Sequence, residues 1–276
     1  MTTLFKAKRL AKYIAIFKAT FQQEFAYPTN FIMWRVRNVL QIFLVYFIWD
    51  TVFSDPERVI FGYDRAKILT YILGLLFIKA IVLSSRTVDV GGEISRGDLS
   101  NYLLKPVSYF KYYLAKDIAS KSLNLIFAFC EIFILFLILK PPFYFPNSTL
   151  TIISFVVSIL IAGGIFFESL FIVNLVPFWI PEMAWGLHFL FIAIFVEFFS
   201  GSLFPLDILP TYIQNILNLT PFPYLIFFPI QIYLGKVGPW LILKGIVISL
   251  VWVFILQGIL NYVWKKGLTI YQAEGR

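Results

Sequence analysis

The run LTIISFVVSILIAGGIFFESLFIVN, residues 150 to 174, carries one ionisable side chain, Glu168, in a stretch long enough to cross a bilayer. A helix rises about 1.5 Å per residue, so about 20 apolar residues cover the roughly 30 Å of hydrocarbon. Comparable runs lie at 31 to 53, 68 to 86, 118 to 139, 184 to 200 and 239 to 263. In lipid every backbone N–H and C=O must find a partner within the chain, which leaves helices as the economical solution for such runs. The pattern predicts an all-α integral membrane protein with six transmembrane helices, forming one domain over residues 1 to 276.

The composition agrees. Only 14% of residues are charged while 60% are hydrophobic, against about 25% charged in a soluble domain. The mean hydropathy of +0.83 has the same sense. Once six spans are placed, no stretch is left for a soluble enzyme domain.

The formal charge of +8 raises the question of nucleic acid, but the basic residues lie in short flanks around the apolar runs, where they encode orientation. Six spans put both termini on one side. With that side cytoplasmic, it holds Lys6, Lys8, Arg9, Lys12, Lys18, Arg35, Arg37, Arg86, Arg96, Lys105, Lys111, Lys116, Lys121, Lys265, Lys266 and Arg276. Arg58, Arg65, Lys67, Lys140, Lys236 and Lys244 remain outside. The expected location is a cell membrane, crossed several times, with both termini in the cytoplasm. The Phe-, Ile- and Lys-rich usage fits a bacterium.

Ahead of the first span, residues 4 to 23 read as an amphipathic helix with Leu10, Tyr13, Ile14, Phe17 and Phe21 on one face and Lys8, Lys12, Ala15 and Ala19 opposite. This is the pattern of an interfacial helix, with its lysines near anionic headgroups. The basic segment before Phe31 is too long and too amphipathic for the start of a cleavable signal, so the N-terminus is expected to be retained.

Two connections exceed what topology needs, and loops of that length tend to carry function. The inner one, 87 to 117, is the most polar part of the chain. The outer one, 201 to 238, is apolar and rich in proline, with Pro205, Pro210, Pro221, Pro223 and Pro229. It reads as short helices dipping back toward the bilayer, a backbone tolerated only when packed on protein or lining a cavity. A seventh, kinked span is the alternative, and Lys265 and Lys266 argue against it.

No phosphate-binding G-x-x-x-x-G-K-[ST] loop or dinucleotide fingerprint occurs, and G-x-S-x-G, H-E-x-x-H and C-x-x-C are also missing. A lone histidine, His188, and a lone cysteine, Cys130, leave no His-based metal site and no intramolecular disulfide, and they disfavour the usual nucleophile-base constellations; both read as packing residues. Asp50 and Asp55 have the wrong spacing for a metal-diphosphate motif. Catalytic residues and bound metal are therefore expected to be absent.

The inner string VGGEISRGDLSNYLLKPVSYFKYYLAKDIASK, Val90 to Lys121, breaks a span at Gly91 and Gly92, continues as an amphipathic helix over 93 to 104, stops at Pro106 and restarts with Ser108 as N-cap. Ile94, Leu99, Leu103 and Leu104 give an apolar side, and Glu93, Arg96, Asp98 and Lys105 a charged one. A plain solvated connector is the alternative reading. Within it, E-I-S-R-G-D-L-S-N-Y-L-L-K-P-V-S-Y, Glu93 to Tyr109, resembles the hallmark of the ABC-2 type permease family in its small bacterial six-span branch. Y-I-A-I-F-K-A-T-F-Q-Q-E-F-A-Y-P-T-N-F, Tyr13 to Phe31, resembles that branch's elbow helix, and F-S-G-S-L-F-P-L-D-I-L-P, Phe199 to Pro210, its outer re-entrant segment.

The resemblance implies a coupling helix in which Glu93, Ile94, Ser95, Arg96, Gly97, Asp98 and Leu99 meet a separate ABC ATPase subunit that binds ATP and Mg. It also implies a second permease chain, the same or related, and a translocation path at their interface in the bilayer. Phe43, Tyr46, Phe47 and Trp49, with Phe191, Phe195 and Glu197, are the path candidates suggested by the family's arrangement. The importer loop with its E-A-A signature is not present, which favours export, or efflux, of a hydrophobic or amphipathic substrate by alternating access. The alternatives are a membrane-embedded enzyme acting on lipid or polyprenyl substrates and a passive scaffold.

Four charges inside spans require explanation, since each costs about 2.5 to 3.5 kcal/mol at mid-bilayer on insertion scales. Lys79 and Glu168 both fall in the inner half and are expected to pair. Glu131 lies near the middle of span three and Glu197 near the outer end of span five. Arg35 and Arg37 open span one at headgroup depth, where snorkelling accounts for them.

Overall fold

The computed structural model describes residues 2–26, 28–55 and 57–272, and every regular element among them is helical. Arg276, one of the expected inner cations, lies outside the described residues, as do the side chains of Lys6, Lys8 and Arg9. In chain order the α-helices are α1 (Thr2–Glu24), α2 (Pro28–Val52), α3 (Arg65–Val82), α4 (Val88–Ser95), α5 (Leu99–Leu103), α6 (Tyr109–Leu139) and α7 (Thr149–Val173). Then follow α8 (Leu187–Leu190), which runs through a π-helical stretch, Phe191–Val196, into α9 (Glu197–Phe199), and then α10 (Thr211–Leu217), α11 (Phe227–Tyr233) and α12 (Pro239–Ile270).

Among the described residues, 4 helical stretches are long and apolar enough to cross a membrane: Phe31–Val52, Tyr109–Leu139, Thr149–Phe178 and Pro239–Ile270. Two of the six expected spans are shorter than their apolar runs suggested. The helix at the second run covers Arg65–Val82 in place of 68 to 86, and Arg65, Lys67 and Lys79 interrupt its apolar character. The run at 184 to 200 yields only Leu187–Phe199 as an apolar helix, about 20 Å long at 1.5 Å per residue, because Pro181 and Gly186 hold the preceding residues in tight turns. The expected third span at 118 to 139 instead begins at Tyr109. Its 31 residues make a rod of about 46 Å, longer than the roughly 30 Å of hydrocarbon.

The short helix α3 lies at the centre. Ile68, Leu69, Tyr71, Ile72, Leu73, Leu75 and Ile78 are buried almost completely, and α3 packs against α2, α6 and α7. Its start is held by Asp64, whose side chain accepts from the Lys67 backbone N–H at 2.7 Å, satisfying one of the orphan donors of a first turn. The outer helices turn large apolar side chains outward: Trp240, Leu243, Val251 and Phe254 on α12, and Phe133, Leu137 and Ile138 on α6, are exposed. Cys130 is also exposed on α6 and so does not have the packing role expected of it. In a membrane such faces meet acyl chains, so exposure here is the counterpart of burial in a soluble core.

The helix α1 lies along α6, with Thr20 buried and Leu10 and Ile14 exposed. Between α9 and α12 the chain is compressed into short helical pieces. Leu206, Leu225, Ile226, Ile230 and Leu234 are buried there, and α11 packs on α7 and α3. Asp207 pins this segment, its Oδ2 accepting from the Tyr63 hydroxyl at 2.8 Å, the Gln231 amide at 3.0 Å and the Lys236 ammonium at 2.7 Å. Lys236 also sits 3.3 Å from the centre of the Tyr63 ring. Burial pushes the Lys236 ammonium down from its ordinary pKa while the Asp207 carboxylate opposes the shift. Burial, and Asp207 beside it, push the Tyr63 phenol up.

A second tie depends on glycine. Gly201 has φ 84°, and its carbonyl accepts from the Tyr71 hydroxyl at 2.6 Å. A Cβ there would stand 2.8 Å from both Tyr71 Oη and Phe227 Cβ. Gly201→Ala therefore combines a left-handed strain of about 1–2 kcal/mol with a clash, and is expected to lower the thermal midpoint of the purified protein and its monodisperse fraction. Asp207→Asn strips the carboxylate from Lys236 and is expected to cost about 2 kcal/mol, read in the same melting assay; an unchanged midpoint would deny the network a stabilising role.

Candidate functional site

A partly open cavity of about 570 Å³ lies between the end of α1, the inner half of α2, the end of α3, α6 and the π-helical stretch. Its wall is unusually polar for a span region. Arg35, Arg37, Asn38 and Gln41 come from α2, Lys79 from α3, Arg86 from the loop after it, Ser120, Asn124 and Glu131 from α6, Glu24 from α1 and Glu197 from α9. Charges at this depth persist where they pair or line a wet cavity, and Arg35, Lys79 and Arg86 each meet a carboxylate here.

The tightest pair is Arg35 with Glu131. Arg35 Nε donates to one carboxylate oxygen at 2.6 Å and an Nη to the other at 2.5 Å, while the remaining Nη reaches Asn124 at 3.1 Å. Such a fork uses both oxygens of the acid, and both side chains are largely buried. Arg35 therefore does not snorkel as the sequence suggested: α6 brings a carboxylate to its level. At the inner rim Arg86 Nε donates to Glu24 at 2.8 Å, joining the loop after α3 to the end of α1.

The expected pairing of Lys79 with Glu168 is corrected. Lys79 Nζ lies 3.3 Å from Glu197 Oε2, which also accepts from the Ser202 hydroxyl. Glu168 is buried with its Oε2 lacking a hydrogen-bond partner. The error came from reading depth along a continuous fifth span. That span is short and includes a π turn, which adds a residue to the helical turn and resets the faces beyond it. Glu197 thus reaches the level of Lys79 instead of standing at an outer exit.

The other path candidates separate. Tyr46 is buried in the central core, Phe43, Trp49 and Phe191 are partly buried against it, and Phe47 and Phe195 are exposed. Only Glu197 of that group lines the cavity. Among the described residues no cluster of three or more His, Cys, Asp and Glu side chains is placed to hold a metal.

The inner loop is likewise not one exposed helix. Gly97, at φ 78°, divides the expected helix at 93 to 104 into the end of α4 and α5. Glu93, Ile94 and Leu99 face inward: the three are buried, and Glu93 accepts from the Tyr109 hydroxyl at 2.7 Å. Tyr109 in turn stacks on Trp264 of α12, with ring centres 5.1 Å apart. Ser95, Gly97 and Asp98 are half-buried, Arg96 is exposed, and Arg96 Nε donates to Asp98 at 2.9 Å. The most exposed apolar residue of the loop is Leu104, 86% accessible, beside exposed Leu103 and Lys105. Beneath this loop Lys116 pairs with Asp89 at 3.1 Å and the Arg86 backbone N–H donates to Asp117 at 3.3 Å, so the loop's root is fastened to α6.

If the cavity pairing is correct, Lys79→Glu loses folded protein and Glu197→Lys in the same chain restores it. Glu168→Lys combined with Lys79→Glu is expected to give no rescue, as read by the yield of monodisperse protein.

A comparison with curated proteins finds no match. Against protein families, the family described as ABC-2 family transporter protein matches residues 39–275. The match takes in the cavity-lining parts of α3 and α6, the inner loop and the outer segment, and on α2 it takes in Gln41 and Ile42 but not Arg35, Arg37 or Asn38. The chain therefore belongs to the ABC-2 family of transporter proteins, a membrane component with a permease role.

Proposed function

We propose that this chain is the permease subunit of an ATP-driven exporter, with its ATPase on a separate polypeptide that binds ATP and Mg. Family membership supports the permease part, and the lack of any nucleotide-binding motif in the sequence supports a separate energy source. Six crossings, two of them through the short helices α3 and Leu187–Phe199, place both termini on the cytoplasmic side of a cell membrane. Two permease chains, identical or related, associate with two ATPase subunits, and cargo moves by alternating access.

The observation that carries the coupling assignment is the contrast within the inner loop. Its apolar residues Ile94 and Leu99 are buried while Leu104 stands exposed beside Lys105. On this reading Glu93, Ile94 and Leu99 seat the loop on α6, and the surface offered to the ATPase is Arg96, Leu103, Leu104 and Lys105. Motion imposed there passes through the Tyr109 contact and the Arg86–Glu24 pair to the cavity wall.

The test is purification from the native membrane without crosslinker, with identification of co-purifying chains and assay of ATP hydrolysis. Recovery of an ATPase subunit is expected, and Leu104→Glu or Arg96→Glu should reduce its recovery more than tenfold while leaving the permease folded. Glu93→Gln is expected to act differently, loosening the loop and lowering thermal stability. A stable preparation with no ATPase would exclude the exporter reading.

A further inference from the structure

A second pocket opens on the inner side and shares no lining residue with the charged cavity. It holds about 520 Å³ where three segments meet: Ser95 at the end of α4, Phe178 and Glu182 in the turns after α7, and Tyr271 and Gln272 at the end of α12.

The pocket is one-sided in charge. Glu182 is the one charged residue that lines it. Its side chain is exposed, and among the described residues it has neither an ion pair nor a hydrogen-bond partner. Elsewhere on the inner side Glu24, Asp89, Asp98 and Asp117 are taken by basic side chains, and Glu93 by the Tyr109 hydroxyl. The end of α12 has the same sign. A helix leaves its last four carbonyls without partners inside it and carries about half a negative charge there. The last turn of this 32-residue helix has no basic side chain to offset them. Lys265 and Lys266 stand a turn earlier, Lys266 over the Tyr262 ring at 4.8 Å, and neither lines the pocket. Arg96, next to Ser95, is held by Asp98 at 2.9 Å. An anion entering here would meet a carboxylate and the negative end of a helix with no cation to hold it. A cation finds a partner in both.

The rings narrow the kind of cation. Phe178 and Tyr271 line the pocket with centres 5.8 Å apart and planes at 82°. A cation is drawn to an aromatic face within about 6 Å of its centre. A guanidinium lies flat on such a face and still offers its N–H donors to carboxylate and carbonyl oxygens. A quaternary ammonium has no donor for those oxygens, and a primary ammonium has no plane to stack.

We propose that this pocket binds a guanidinium group, with Glu182 as its counter-ion and Phe178 and Tyr271 as its aromatic walls. The group is carried by a free organic cation or by an arginine side chain of a chain bound at the inner face. Ser95 forms one wall, and the Tyr271 hydroxyl accepts from the Ser100 backbone N–H at 3.3 Å, so a bound group ties the inner loop to the end of α12. The site stands without the exporter reading.

The experiment adds N-acetylargininamide to the full chain in dodecyl maltoside and follows binding by saturation-transfer difference NMR, first with any co-purifying chains retained and then after a high-salt wash removes them. Saturable binding is expected, and a tenfold excess of N-acetylcitrullinamide, the neutral isostere, should not compete. Glu182→Gln should raise the half-saturating concentration more than tenfold, Glu182→Asp should recover part of the loss, and Tyr271→Leu should raise it about threefold. Glu57→Gln, at an exposed carboxylate of the outer loop, should leave it unchanged. Equal binding before and after the wash identifies a free cation; binding that emerges only after the wash assigns the group to the chain removed, and both results uphold the site. No saturable binding in either state, competition by the citrulline analogue, unchanged binding in Glu182→Gln, or equal weakening by Glu57→Gln overturns it. The comparison of arginine with citrulline needs no variant and stands even if a variant fails to fold. Binding requires no ATPase, so failure to recover one removes the exporter reading alone, whereas failure here with an ATPase recovered removes only the guanidinium site.

Discussion

An ionised group in hydrocarbon must be paired or wet, and the inner half of this molecule is arranged around that requirement. Arg35, Lys79 and Arg86 meet Glu131, Glu197 and Glu24 around one cavity, and each pair joins elements far apart in the chain. Breaking a buried pair leaves a charge that the surroundings cannot solvate, at a cost of about 3–5 kcal/mol. The pairs therefore set which helices meet here: α2 with α6, α3 with α9, and α1 with the loop after α3. Burial of α3 gives the bundle its core, but van der Waals packing in lipid tolerates many crossings, whereas a guanidinium over a carboxylate tolerates few.

Much of the plan was legible because membrane spans are written in composition. Residues 150 to 174 and 239 to 263 admit little except helix crossing lipid, and both lie within the long apolar helices of the structure. The family was legible from Glu93 to Tyr109 and from Phe199 to Pro210, both of which lie within the matched residues 39–275. The local faces of short helices were not. Ile94 and Leu99 look like docking residues on a helical wheel, yet Gly97 breaks the wheel and both turn into the protein. Likewise Lys79 and Glu168 have matching depth if all spans are continuous α-helices, and a single π turn was enough to bring Glu197 to Lys79 instead. No periodicity in FIAIFV, residues 191 to 196, marks the π turn.

The inner loop and the cavity share structural members. Arg86 follows the end of α3, lines the cavity and holds Glu24 at the end of α1, while its backbone N–H reaches Asp117 at 3.3 Å. Lys121, one turn further along α6, donates to the Ser84 carbonyl at 2.6 Å. The root of the loop is therefore braced on the long helix α6, and the cavity is braced by the same helix at Glu131. Rigid elements with charge-assisted contacts at both ends are the physical means by which a displacement at one site reaches another.

The difference in helix length has a consequence for the lipid itself. The rods α6 and α12 are about 46–48 Å long, while Leu187–Phe199, which turns Leu190, Ile194 and Phe198 outward, is about 20 Å, and the cavity lies against it. A bilayer accommodates a short hydrophobic segment by thinning beside it, at a cost of fractions of a kcal/mol per Å of mismatch. A layer thinned on that flank would bring water closer to the ion pairs than it stands elsewhere around the protein. The dielectric barrier to a polar group is lowest on the face where the charged wall is found, before any moving part has acted.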